Sequence, residues 1–312
     1  MSLTRREVLI ATAGAPILAA LASADGATPD GERRMPVVDT HVHCFAGAAD
    51  REFPYHPRGP YAPQAASPPE LLLERMDQAQ VDHAIIVHPE PYQDDHRYLE
   101  HCLKVGAGRL KATCLFFAGR KDSVARLRDL VARNGKGIVA LRIHAYAPER
   151  QPPFGKPELR ALWQAAADLG LAIQLHFEPR YGLAFEPLIA EFSKTPVIID
   201  HLGRPEFATP AEHAAVLRWS RFENTTMKLS ALPRREQYPH RDIAPFVRDA
   251  VSAFTPSRLM YGGGFDDKAT AASYRATRER VRSFVADLTP AEQAKILGGN
   301  AARLFGFGGA RR

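Results

Sequence analysis

Six of the twelve histidines of this 312-residue chain, each with acidic or arginine neighbours, fall in five short segments. The segments are Asp39-Thr40-His41-Val42-His43, His88-Pro89-Glu90, Arg142-Ile143-His144, His176-Phe177-Glu178 and Asp200-His201-Leu202-Gly203-Arg204-Pro205. Each follows a short apolar run. A sixth polar segment, Gly262-Gly263-Gly264-Phe265-Asp266-Asp267, follows Leu259-Met260-Tyr261. On a strand, positions i and i+2 face the same way, so His41 and His43 point together. Two such imidazoles can share a divalent metal, or hold a carbonyl and a water. A lone histidine more often satisfies a local hydrogen bond. Five of them, His41, His43, His144, His176 and His201, at the ends of four apolar runs are not explained that way.

The apolar runs are the elements that must position these groups. Candidate strands are Val37–His43, His83–His88, Leu110–Phe117, Ile138–His144, Ala172–Phe177, Val197–His201, Thr226–Ser230 and Leu259–Tyr261. Most are short, continuous and rich in Val, Ile and Leu, as strands buried on both faces of a parallel sheet are. Amphipathic stretches fill the gaps: Pro69–Gln80, Arg97–Val105, Ser123–Asn134, Pro157–Gly170, Phe185–Ser193, Pro210–Arg218, Ile243–Phe254 and Thr270–Asp287. Eight strand–helix repeats predict a (β/α)8 TIM barrel over 36–312, with every polar segment at its C-terminal rim. Phe45–Pro69, rich in Pro, Gly and Ala, reads as a loop over that rim. No GxGxxG or GxxxxGK[ST] follows a strand, so a nucleotide-binding fold has no support.

Composition is that of an ordinary soluble protein, 45% hydrophobic and 24% charged, with a formal net charge of +6. The basic residues form no stripe with interleaved aromatics, so nucleic acid is not an expected partner. Of the three cysteines, Cys44, Cys102 and Cys114, none has zinc-ligand spacing. Cys114 reads as core, and Cys44, just after His-x-His, as a residue that lines the site without doing chemistry. At the N-terminus, Arg5-Arg6 leads into an apolar run to Ala22, and Ala22-Ser23-Ala24 fits a small-x-small cleavage site. Residues 1–24 therefore read as a twin-arginine export signal and 25–35 as a linker. The mature chain is expected in the periplasm or outside the cell, with no membrane anchor after cleavage.

Several segments carry a family resemblance. Val38-Asp39-Thr40-His41-Val42-His43, Asp94-Asp95-His96-Arg97-Tyr98-Leu99, Val197 through Pro205, Lys228-Leu229-Ser230 and Ile296 through Phe305 together resemble the amidohydrolase superfamily. The branch is amidohydrolase 2, near the 2-pyrone-4,6-dicarboxylate lactonase-like group. The likeness spans nearly all of the mature chain, and Asp-His-Leu-Gly-Arg-Pro is its most specific part. It implies a hydrolase acting on a small carboxylated lactone or ester by activated-water attack. His41, His43 and His176 would be ligands for one zinc or manganese ion, weakly bound or absent. His41, His43 and His201 would polarise the carbonyl, and Arg142 would hold a substrate carboxylate, with Arg204 and His144 as further substrate contacts. Arg204 could equally brace its own loop.

Strand 8 departs from the family pattern. Relatives end it in Gly-Ser-Asp-Trp-Pro, where the Asp handles the proton. Here Gly264 stands in that register, and Asp266, two residues on, is the expected replacement. The strand-4 lysine of binuclear relatives is also absent, which argues against a tight binuclear centre. Two other readings remain open at this point. One is a metal-dependent decarboxylase on the same barrel. The other is a non-catalytic binding protein on a degenerate barrel, to which Gly264 lends weight. The export reading has its own test: mass spectrometry of the protein from its native host should find a chain starting near Asp25, and an intact cytoplasmic N-terminus would refute it.

Overall fold

The structure is a computed structural model that describes residues 34–238 and 241–308. The expected export segment and most of the expected linker lie outside the described residues. Eight strands pair in chain order and all in parallel. They are β1 (Val38–Val42), β2 (His83–Val87), β3 (Leu110–Leu115), β4 (Ile138–Ala145), β5 (Ala172–Phe177), β6 (Val197–Ile199), β7 (Thr225–Leu229) and β8 (Leu259–Tyr261). The result is a nearly closed (β/α)8 barrel. Hydrogen bonds from Gly264 N to His41 O (2.8 Å) and from His43 N to Phe265 O (2.8 Å) carry β8 back to β1.

Strand alternation divides the apolar residues into two cores. Ile86, Cys114, Leu141, Ile143, Leu175, Ile199 and Leu229 pack with the surrounding helices, as does Val42 beyond the register shift in β1. Val38, Ile85, Ala140, Ala172, Ile198 and Met260 fill the lower barrel interior, where Ala301 and Phe305 close it. These last two belong to a helix, Asn300–Phe305, that the sequence reading left without an element. It follows a π-helical turn, Lys295–Gly299, and Asn300 Nδ2 donates to Pro256 O and Leu259 O at 2.8 and 2.9 Å. The expected helix over Phe185–Ser193 is present as Glu186–Glu191, the second of two helical pieces; the first, Pro179–Gly182, and a 3-10 turn precede it. Pro187, which lacks an N–H, sits in the first turn of the second piece, where it costs least.

Cys44, Cys102 and Cys114 are all buried and free. Cys44 packs in the outer core and does not line the site, contrary to expectation. The Phe45–Pro69 loop is pinned at its base by a bridge between Phe45 and Ser67, and Ala46 N donates to Tyr92 Oη at 2.8 Å.

Gly298 shows how tightly the C-terminal segment closes the barrel. A Cβ there would fall 1.9 Å from Pro36 O and 2.7 Å from Val38 N, both backbone atoms that cannot swing aside. Gly298→Ala should destabilise the fold by roughly 1–3 kcal/mol. Urea denaturation checks this, and an unchanged midpoint would show that the seam relaxes freely.

Candidate active site

Alternation along the strands stacks the interior in layers. In β4 the inward residues are Ala140, Arg142 and His144. They pair across to Ala172, Gln174 and His176 of β5. The lower layer is apolar, the middle one charged and the upper one imidazole. The middle layer is organised by Asp200, fully buried at the end of β6. Its Oδ2 accepts from Arg142 Nε and Nη2 at 3.1 and 2.9 Å, and from Gln174 Nε2 at 3.0 Å. Lys228 Nζ, on β7, lies 3.4 Å from its Oδ1. Burial by itself would raise the Asp200 pKa. The Lys228 and Arg142 charges outweigh that and hold the carboxyl well below the usual carboxylate range. Burial also pulls Lys228 down to about 8, against the opposing pull of Asp200.

The imidazoles above this layer are neutral. Burial lowers His43 to about 4, helped by the Arg142 charge. Burial lowers His201 to about 3, despite Asp200. His41 and His176 are held well below 6.5, again chiefly by burial. His43 Nδ1 is hydrogen-bonded to Val87 O at 2.8 Å, and His201 Nδ1 to Ser230 Oγ at 2.9 Å. In each ring this leaves Nε2 for other work. The rings of His41 and His201 stand 4.4 Å apart, those of His41 and His43 5.1 Å, and those of His176 and His201 5.1 Å.

His201 is aimed by unusual backbone. His201, Leu202, Gly203 and Arg204 all have positive φ, from 53° to 69°. Three of the four carry side chains, and a left-handed conformation costs roughly 1–2 kcal/mol for each. The turn is held by Gly203 N to Asp200 O (3.0 Å), Arg204 N to His201 O (2.8 Å) and the His213 ring to Leu202 O (2.8 Å). Only glycine fits at 203, because a Cβ would meet Val216 Cγ1 at 2.9 Å. This is the physical content of the Asp-His-Leu-Gly-Arg-Pro segment.

His41, His43, His176, His201, Arg142 and Asp266 all line one cavity of about 890 Å3 at the C-terminal end of the strands. Tyr61 from the long loop, Glu90, Ser230 and the exposed Arg234 and Arg235 complete much of its wall. Two expected substrate contacts lie elsewhere. His144 turns its Nδ1 to Glu90 Oε1 at 2.9 Å and lines a separate cavity of about 730 Å3 that shares the Glu90 wall. Arg204 lies over the Phe207 ring at 4.0 Å and 3.8 Å from Glu206, so it braces its own loop. Burial alone would raise Glu90. Its hydrogen bonds from His144 and Tyr146 prevail and hold it at about 2.

The first two glycines after strand 8 form a packed seam. A Cβ on Gly262 would meet Ser230 Cβ and His41 Cβ at 2.7 and 2.8 Å. One on Gly263 would meet Asp39 Oδ2 at 2.3 Å. Gly263 N donates to Asp39 Oδ1 at 2.6 Å. Gly264 has φ 71°, so an aspartate there would be strained. Phe265 is buried. Asp266 follows at the rim, partly exposed, where its Oδ1 accepts from Lys268 N at 2.9 Å.

The donor set suits one divalent ion. His41, Asp200 and His201 each offer a ligand atom, all within 4.8 Å of one another. His41 Nδ1 and Asp200 Oδ1 are buried without hydrogen-bond partners, and 3.7 Å separates them. This group differs from the His41, His43 and His176 set expected from sequence, because it recruits the Asp200 carboxylate.

With the geometry in place, comparison with known proteins gives the class. The amidohydrolase family model Amidohydro_2 matches residues 38–307. The chain belongs to that family and is a hydrolase. It is 29% identical over 279 residues to a 4-sulfomuconolactone hydrolase of Rhizobium radiobacter, covering 86% of this chain and 89% of the relative. It is 24% identical over 246 residues to a 2-pyrone-4,6-dicarboxylate hydrolase of Comamonas testosteroni, covering 73% and 77%. Among solved structures, a probable 2-pyrone-4,6-dicarboxylic acid hydrolase of Acinetobacter baumannii with citric acid bound superposes with a TM-score of 0.71. That pair is 20% identical and covers 88% of this chain and all of the other.

Sequence reasoning placed Glu90 and Asp200 at the rim without giving them a role, and missed Lys228 and Gln174 as members of the site. Period-2 counting back from the strand-end histidine finds Gln174, and back from Ser230 finds Lys228. Glu90 is marked by its strand-end position, but nothing local indicates its bond to His144. The buried neutral histidines set a pH dependence of stability. His43, His88 and His201 fall to about 4, 4 and 3 in the fold, against 6.5 in the unfolded chain. The unfolded state alone gains protons as pH drops below 6.5, so stability is full above that value and is lost toward about pH 4. Each histidine contributes a slope of about 1.4 kcal/mol per pH unit in that window. Thermal melts in chelator should be flat above neutrality and fall steeply below about pH 6.5. A flat profile down to about pH 4 would show that these rings are protonated in the fold.

Proposed function

We propose that this protein is an exported lactonase-type hydrolase that opens a small carboxylated lactone or ester by attack of water on the carbonyl. The observation that carries this reading is the cavity itself: neutral imidazoles face a space whose floor holds the Arg142 guanidinium. Neutral rings can donate to a carbonyl oxygen or accept from a water, which protonated rings cannot do in both senses. Arg142 spends Nε and Nη2 on Asp200. The rest of its fork is available to a substrate carboxylate. Arg234 and Arg235 at the mouth favour an anion. Two relatives are named as hydrolases of anionic lactones, which supports the same substrate class.

In this reading His41, His43 and His201 steady the developing oxyanion. Asp266, the rim carboxylate, takes the proton from water. A divalent ion, zinc or manganese, held weakly by His41, Asp200 and His201 would add Lewis-acid polarisation.

A panel of carboxylated lactones and esters tests the substrate class. Binding of such compounds without turnover would favour a binding protein instead, and release of CO2 from an aromatic acid would favour a decarboxylase. On a substrate that turns over, Asp266→Asn should lower kcat by about 10²–10⁴-fold with little change in affinity. Asp267→Asn should be nearly silent. Equal turnover in wild type and Asp266→Asn would remove Asp266 from the role.

A further inference from the structure

The two oxygens of Asp200 meet different surroundings. Oδ2 is saturated by three N–H donors from Arg142 and Gln174. Oδ1 has no hydrogen bond and faces the partnerless His41 Nδ1. That orphaned pair, with His201, is the group that suits an ion. Lys228 reaches the same oxygen from inside the barrel. Its Nζ is 3.4 Å from Oδ1 and donates to Thr40 O at 2.7 Å. The side chain is fully buried, so packing fixes the ammonium where it stands.

We infer that Lys228 is a built-in cation that keeps the His41–Asp200–His201 group from holding a divalent ion tightly. An ion bonded to Oδ1 at about 2.0–2.2 Å would share that oxygen with an ammonium already beside it. The two cations repel in a space that excludes water, where charges are least screened. Arg142 on the other oxygen adds to the effect, since the carboxylate is already neutralised before any ion arrives. The donor geometry is therefore that of a metal site, while the charge balance is that of a site whose cation is a side chain.

The inference rests on the weak metal binding proposed above, and one experiment separates the two. The full chain and its Lys228→Met and Lys228→Gln variants are dialysed against chelator and titrated with Zn2+ alone. Metal content after gel filtration and the shift of Tm with zinc are the readouts. Wild type should keep less than one equivalent. The variants should approach about one equivalent, with affinity raised on the order of 10- to 100-fold. They should also show a zinc-dependent rise in Tm that wild type lacks. Adding His41→Ala to Lys228→Met should abolish the gain. A full equivalent in wild type after chelator overturns both readings. Weak binding in wild type and equally weak binding in the folded variants overturns the role of Lys228 alone. If the variants are unfolded in chelator, recovery of native circular dichroism on adding Zn2+ supports the inference, and indifference to Zn2+ overturns it.

Discussion

A carboxylate withdrawn from water must find its stabilisation in neighbouring groups, and Asp200 finds it in Arg142, Lys228 and Gln174. These residues come from β4, β7 and β5, while Asp200 ends β6. The contact therefore ties four strands of the barrel together through charge. Removing one member of such a buried group leaves an uncompensated charge, typically a loss of 3–5 kcal/mol. The imidazole layer depends on it as well. With two cations beneath them and their rings largely buried, the histidines stay neutral.

The strained turn after Asp200 is a second expression of the same constraint. Asp200 must face inward at the middle layer, and His201, the next residue, must face the cavity above it. Neighbours on a regular strand point to opposite faces, so extended backbone cannot supply both. The left-handed run from His201 to Arg204 supplies the change of direction, and packing against Val216 and the His213 ring keeps it in place. Strain persists in a fold only where the surroundings over-determine it, which is the situation here.

Strand 8 solves a related problem at the closing seam. Asp39 lies behind the site, fully buried, and burial raises its pKa to about 6 against the pull of N–H groups from Gly263 and His41. Side chains at 262 or 263 would collide with Ser230, His41 or Asp39. The glycines let β8 approach β1 closely enough to close the barrel beside His41. Their presence moves any acidic residue of strand 8 outward to Asp266 at the rim. The site thus keeps its carboxylate charge at Asp200 inside and at Glu90 and Asp266 in the wall.

The eight strands, most of the helices between them and the strand-end histidines were legible from sequence alone. The reason is local: apolar runs of strand length, punctuated by Pro, Gly and Asn, and two-residue alternation are properties of neighbouring residues. Charge pairing is not local. Arg142 and Asp200 are 58 positions apart, and Lys228 and Thr40 are 188 apart. Whether Arg142 is free for a substrate or shared with Asp200 depends on which strands become neighbours across the barrel. The same holds for His144, which the fold turns to Glu90, 54 positions away, and for Arg204, which its left-handed backbone lays on Phe207. Residue types and spacing by themselves determined the barrel, the rim and the inward-facing imidazoles. Only the tertiary structure decided which buried charges neutralise one another, because that follows from distances closed by the fold and not from order along the chain.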